Sequence, residues 1–195
     1  RGDGIERWMP RFTFRGFRYV EVRGLSKPAA KDMITGFAMA SDVGDVGEFS
    51  CSNEYLNRME AMCRRTFLSN LFSVQSDCPH RERFAYGGDI IATCEALMMN
   101  FDMAAFYEKT LTDFVDSATP EGRFLDTAPS TGIDYCGLAW AMAHPYLVET
   151  LYRYYGDRRV VEQHYAAAAR WLEGVAKANP GHIIEAGLND HEGLE

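Results

Sequence analysis

Apolar and polar positions change period once along this chain. Over residues 12–23 they alternate, with Phe12 and Phe14, then Val20 and Val22, on one face and Gly16 interrupting the run. A period of two carried by aromatic and β-branched residues predicts a strand. Residues 33–40 and 46–50 give two shorter strand-like runs, punctuated by Gly36, Gly44 and Gly47. So few strands do not close a sandwich by themselves. Residues 1–50 are therefore expected to be the last strands, and a linker, of a β-sandwich domain whose earlier strands lie outside the sequence.

From residue 51 onward the period becomes that of a helix. Ser52 or Asn53 can cap a helix over 53–72, in which Leu56, Met59, Met62, Cys63, Thr66 and Phe67 recur at spacings of three and four. Asp89 is expected to cap a second helix that buries Ile90, Ile91, Cys94, Leu97 and Met98 and ends near Asn100. A third, capped by Asp102, carries Phe106, Leu111, Phe114 and Val115. A fourth spans 137–155 with Trp140, Leu147, Leu151 and Tyr154, and Gly156 ends it. Asp157 caps a fifth, to residue 178, with Val160, Val161, Tyr165, Ala168, Trp171 and Leu172. Long and short links alternate between these helices, a rhythm that suggests hairpins set around a toroid. The chain is thus expected to be mainly α, with residues 51–195 forming the first part of a helical ring. Left with unpartnered helix faces, the isolated chain is expected to fold poorly and to be inactive.

Composition narrows the functional classes. With 195 residues, 47% of them hydrophobic, the chain can bury a substantial core. A net charge of −8 argues against nucleic acid as a partner, because that affinity rests on Lys and Arg contacts to phosphate. No apolar run approaches the roughly 18 residues of a membrane span. The cysteines at 51, 63, 78, 94 and 136 form no CxxC pair. Cys78-Pro79-His80 offers two metal ligands without a partner pair, so no metal or cofactor is expected.

The candidate chemistry lies in Asp77-Cys78-Pro79-His80-Arg81-Glu82-Arg83-Phe84-Ala85-Tyr86-Gly87-Gly88-Asp89. Pro79 and the Gly87-Gly88 pair mark this stretch as a loop between helices. A solvated charged loop is the plain alternative, but Cys, Pro, Phe and Tyr interleaved with the charges suit an ordered active-site loop. Cleavage of a glycosidic bond needs one carboxylic acid to protonate the leaving oxygen and a second carboxylate across the sugar. Glu82 lies between two arginines, so at least one of them should point away if Glu82 is to donate a proton. Asp77 and Asp89 can accept bonds from sugar hydroxyls, or can serve only as tether and cap, and Phe84 and Tyr86 can supply apolar walls and a platform for a sugar ring. The long loop 119–136 holds Asp134 and Tyr135 as candidate substrate contacts. Trp140 and Trp171 sit on helical stripes, the usual place of core residues, and Trp140 is retained as a candidate sugar contact. His144, before Pro145, is expected to pack. His191, between two acids, can line a cleft or a surface loop.

These motifs resemble those of the bacterial α-L-rhamnosidases. Asp77-Cys78-Pro79-His80-Arg81-Glu82-Arg83 and Tyr86-Gly87-Gly88-Asp89 are similar to that family's signature loop. Phe14-Arg15-Gly16-Phe17-Arg18-Tyr19-Val20, Ser69-Asn70, Ala128-Pro129, Tyr155-Gly156-Asp157 and Asp190-His191-Glu192 are similar to further family segments. The resemblance implies a partial (α/α)6 barrel after the end of a β-sandwich domain, and inverting hydrolysis of α-L-rhamnosides. It also implies Glu82 as general acid, Asp77 and Asp89 holding the rhamnose hydroxyls, and Arg81 in the same pocket. Ala85-Tyr86 replaces the family's usual Gly-Trp, which alters the surface around the sugar. The family's general base is a downstream Glu, and none of Glu185, Glu192 or Glu195 is assigned that role. Another inverting hydrolase or phosphorylase on the same barrel, or a non-catalytic carbohydrate-binding helical module, remains open at this point.

Overall fold

A computed structural model describes residues 4–132 and 137–184. The elements are α1 (Glu54–Asn70), the two-residue strands β1 (Leu71–Phe72) and β2 (Val74–Gln75), α2 (Gly87–Asn100), α3 (Ala104–Ser117), α4 (Leu138–Ala141), α5 (Ala143–Tyr155) and α6 (Arg158–Ala178). None of these helices is long and apolar enough to cross a membrane.

The helical periods are realised as expected. α2 buries Ile90, Cys94, Leu97 and Met98. α3 buries Tyr107, Leu111 and Phe114, while α5 buries Leu147, Val148 and Leu151. α5 is central and packs against α2, α3 and α6. Their apolar faces share one core with Phe101, Met103, Phe124 and Trp171. Asn53 caps α1 by accepting from Tyr55 N–H at 3.0 Å, and Asp157 caps α6 by accepting from Arg159 N–H at 2.9 Å. Gly156 ends α5 in the left-handed conformation at φ 66°, which glycine adopts without a Cβ clash.

Three expectations need correction. No strand forms over 12–23, 33–40 or 46–50; among the described residues before α1 there is only a 3₁₀ turn at Lys31–Met33 and an isolated bridge from Asp45 to Phe101. A strand needs a continuous ladder of partners for its N–H and C=O groups. Over these runs, outside the 3₁₀ turn, only Val46 and Gly47 N–H find a backbone acceptor among the described residues, both at Asn100 O. Phe12, Phe17 and Tyr19 accordingly face solvent. Second, helix four is broken: α4 stops at Ala141, and α5 starts after Met142. Pro145 has no N–H for the Ala141 carbonyl, so the hydrogen-bond ladder is interrupted there. Third, α2 begins at Gly87, which makes Asp89 a first-turn residue rather than the cap. A carboxylate in that turn still suits the positive end of the helix.

The link lengths decide where the site lies. The short α2–α3 and α5–α6 links sit together, with Met103 N–H donating to Tyr155 Oη at 2.9 Å. Both long loops, 71–86 and 118–137, therefore emerge at the opposite end. There they bond directly: Gly87 N–H donates to Asp126 O at 2.8 Å, Ala128 N–H donates to Ala85 O at 3.1 Å, and Tyr86 bridges Thr127.

Candidate active site

The first long loop is closed at residues 77 and 84. Asp77 N–H donates to Phe84 O at 3.0 Å, and Asp77 Oδ1 accepts from Phe84 N–H at 2.9 Å. This double tie turns residues 78–83 outward. Inside the turn, Glu82 N–H donates to Cys78 Sγ at 3.1 Å, and Arg83 takes a left-handed backbone, φ 60°. The Arg83 side chain then leaves Glu82 for Phe14, donating to its carbonyl at 3.4 Å and lying 5.1 Å from its ring centroid. That meets the requirement that one flanking arginine turn away. Arg81 is exposed on the rim.

The Glu82 carboxylate is exposed, and its Oε2 accepts from the Tyr86 hydroxyl at 2.9 Å. Tyr86 itself is only 5% exposed, with its ring 6.0 Å from that of Phe84. Ligand atoms of Asp77, Cys78 and Glu82 all lie within 4.8 Å of one another. This trio is a mixed oxygen and sulfur donor set whose sulfur already accepts a backbone bond.

The start of α2 is held from two sides. From below, the buried Gln75 on β2 donates to the Asp89 carbonyl at 3.3 Å and to Thr93 Oγ1 at 2.7 Å, and accepts from Tyr107 Oη at 2.7 Å. From the side, α4 lies directly on the two glycines. A Cβ on Gly87 would stand 2.0 Å from the Trp140 carbonyl oxygen, and one on Gly88 would stand 2.6 Å from the indole ring. Gly87-Gly88 is thus less a helix breaker than the bare surface on which Trp140 rests beside Asp89.

The second loop is a support. Phe124, Leu125, Asp126, Thr127 and Ala128 are all buried, and Asp126 Oδ1 accepts from the buried Gly137 N–H at 2.9 Å. The Ala128–Pro129 peptide is cis. Phe124 stacks on His144 at 4.3 Å and lies 6.1 Å from Trp171, so both residues pack in the core. His144 Nε2 faces His164 Nδ1 at 3.3 Å. Burial, and then the neighbouring His164, depress the His144 pKa to about 3; burial also lowers that of His164. On the outer face of α2, Glu95 accepts from Arg153, Tyr146 and Tyr154, and the Arg153 bond first, then the tyrosines, hold its carboxyl below the usual range.

Of the residues singled out from the sequence, Asp77, Glu82 and Tyr86 come together, Asp89 and Trp140 flank Gly88, and Arg81 stands at the rim. Asp134, Tyr135 and His191 lie outside the described residues. Sequence reasoning missed the Tyr86–Glu82 bond and the role of Asp126. The signal for Asp126 was available: a polar pair set between Phe124-Leu125 and Ala128.

Comparison with known proteins fits this arrangement. Residues 44–193 match the model of the bacterial alpha-L-rhamnosidase 6 hairpin glycosidase domain, and residues 1–40 match the bacterial alpha-L-rhamnosidase concanavalin-like domain. An alpha-L-rhamnosidase of Formosa agariphila is 35% identical over 85% of this chain and 18% of its own length. Among solved structures, the alpha-L-rhamnosidase from Dictyoglumus thermophilum superposes with a TM-score of 0.73 at 36% identity, over 76% of this chain and 17% of that one. The Streptomyces avermitilis alpha-L-rhamnosidase complexed with L-rhamnose gives 0.66 at 29% identity, over 71% and 14%. The chain thus spans less than a fifth of the length of each of these relatives, and its helices correspond to part of a six-hairpin barrel. The chain belongs to the bacterial α-L-rhamnosidase family of glycoside hydrolases.

Proposed function

We propose that the protein carrying this chain hydrolyses terminal α-L-rhamnosides with inversion, and that Glu82 is the proton donor. The observation that carries this reading is the Glu82 carboxyl itself, on an exposed residue of the turn closed by the Asp77–Phe84 tie, with Oε2 held by Tyr86. Glu82 gives its proton to the glycosidic oxygen as the bond from that oxygen to the anomeric carbon breaks, while water attacks the opposite face and yields its proton to a base. Asp77 does not suit the role of that base. It shares a turn with Glu82, with ligand atoms within 4.8 Å, whereas an inverting pair stands roughly 6.5–9.5 Å apart across the sugar. Asp77, Asp89 and Arg81 are assigned to the rhamnose hydroxyls, and Trp140 to an apolar face of the ring. Asp134 and His191 are proposed as further sugar contacts.

The test is Glu82→Gln in the full-length protein. Tyr55, Leu56, Met59 and Met62 of α1 are exposed in this chain, so the 195 residues alone are expected to be inactive. Turnover of an alkyl α-L-rhamnoside should fall roughly 10²–10⁴-fold, and that of an aryl rhamnoside with a good leaving group far less. Equal, slight losses on both would remove Glu82 from the chemistry. Product NMR should show the β-anomer of L-rhamnose first. Activity on mannosides matching that on rhamnosides would favour a different sugar hydrolase, and binding without product a carbohydrate-binding module.

A further inference from the structure

The Tyr86 hydroxyl bond to Glu82 assigns Tyr86 a task that a sugar platform does not have. A stacking residue needs an open ring face, yet Tyr86 is 5% exposed and its backbone is bridged to Thr127 in the support loop. Its one polar atom reaches Glu82 Oε2 at 2.9 Å, and the loop residues between them are fixed by the Asp77–Phe84 tie. We infer that Tyr86 is a positioning residue for the proton donor, aiming the Glu82 carboxyl and choosing which of its oxygens carries the proton. The inference rests on the reading of Glu82 as general acid.

The proton count follows from the direction of the bond. A phenol at neutral pH donates, so Oε2 serves as acceptor and the transferable proton resides on Oε1, the oxygen that Tyr86 does not hold. When Oε1–H passes its proton to the leaving oxygen, negative charge develops on the carboxylate. Tyr86 keeps its own proton throughout, and its bond to Oε2 strengthens as that charge appears. An interaction that is stronger in the transition state than in the ground state raises kcat and leaves substrate binding alone. The gain is largest where protonation of the leaving group limits the rate.

The test compares Tyr86→Phe, Glu82→Gln and the double variant in the full-length protein. Phenylalanine keeps the buried ring and deletes only the donor, and thermal unfolding verifies that the fold is retained. Tyr86→Phe is expected to lower kcat on an alkyl α-L-rhamnoside roughly ten- to hundred-fold with KM unchanged, and to lower it several-fold less on an activated aryl rhamnoside. In the Glu82→Gln background the same change should have no further effect, because the group it positions has gone. A rise in KM with kcat intact, or a loss independent of the leaving group, would overturn the inference and return Tyr86 to a contact or packing role. Additive losses in the double variant would do the same. If Glu82→Gln leaves alkyl turnover intact, the general-acid reading fails first; if it abolishes that turnover while Tyr86→Phe changes nothing, only the positioning role fails.

Discussion

The two long loops meet at one end of the helices but are built on opposite terms. Residues 77–84 are exposed or half-buried, and they carry three carboxylate or thiol groups within 4.8 Å. Residues 124–128 are buried without exception. The first loop can present charge to solvent because the second takes up the hydrogen bonds of its outgoing backbone, at Ala85 O and Gly87 N–H. Display and support are thus divided between segments forty residues apart in sequence. Damage to the buried loop should therefore reach the chemistry without any contact to substrate.

The largest effect is expected at Asp126. Asp126→Ala leaves the buried Gly137 N–H without its acceptor, at a cost of about 1–3 kcal/mol. Losing the side-chain bond frees the loop backbone to shift, and the same residue's main-chain carbonyl holds Gly87 at the start of α2, so turnover should fall along with stability. Asp126→Asn keeps an acceptor oxygen and should recover most of both. Chemical denaturation and kcat/KM for the three proteins check this; an alanine variant as stable and active as the parent would dissolve the distinction between the loops.

What the sequence made legible follows the same division. Period-three-and-four stripes located the long helices among the described residues, because that spacing is local. Whether a stripe is buried depends on a partner, which Leu97, Leu111 and Leu151 find and Leu56 and Met59 of α1 do not. The candidate stretch was legible because it concentrates unusual residue types, Asp77, Arg81, Glu82 and Asp89, in exposed or half-buried positions. The support loop was marked only by its polar pair Asp126-Thr127 between apolar neighbours; what it supports, Gly87 N–H and Ala85 O, lies about forty residues earlier and leaves no local trace. The Leu71–Gln75 hairpin was too short to show a period. Alternation over 12–23 did not become a strand, because a strand exists only with a neighbour to pair with. Gly87-Gly88 was read as a break when its meaning is the approach of Trp140.

Near neutral pH a smaller effect, which grows only in acid, is expected from the floor of the support loop. His144 stacks under Phe124 and is fully buried, with its pKa depressed to about 3 against an ordinary 6.5. The unfolded chain therefore binds a proton below pH 6.5 that the folded chain refuses. Stability from this group is complete above that pH and is lost as the pH falls toward 3, at up to about 1.4 kcal/mol per pH unit. His164, lowered by burial as well, adds to the same slope in the same direction. His144→Phe keeps a stacking ring and removes the titration, so denaturation midpoints measured against pH should decline less steeply in the variant. Parallel declines would show that the acid sensitivity lies elsewhere.

The smallest effect tests how the displayed loop holds its shape. Arg83 adopts φ 60°, a conformation in which a Cβ crowds the backbone, and its guanidinium lies 5.1 Å from the Phe14 ring. Two terms oppose each other here: the strain favours glycine, and the cation–π contact, worth about 0.5–1 kcal/mol at an exposed site, favours arginine. Alanine has neither advantage. Arg83→Ala should therefore be the least stable of the three, and Arg83→Gly should exceed it by about 1 kcal/mol. The native protein and the glycine variant should lie close together, because strain relieved in one offsets contact kept in the other. Paired denaturation curves resolve a difference of that size. Equal midpoints for alanine and glycine would mean that residue 83 does not stay left-handed in solution, and the outward turn that presents Glu82 would then have to be fixed by the Asp77–Phe84 tie alone.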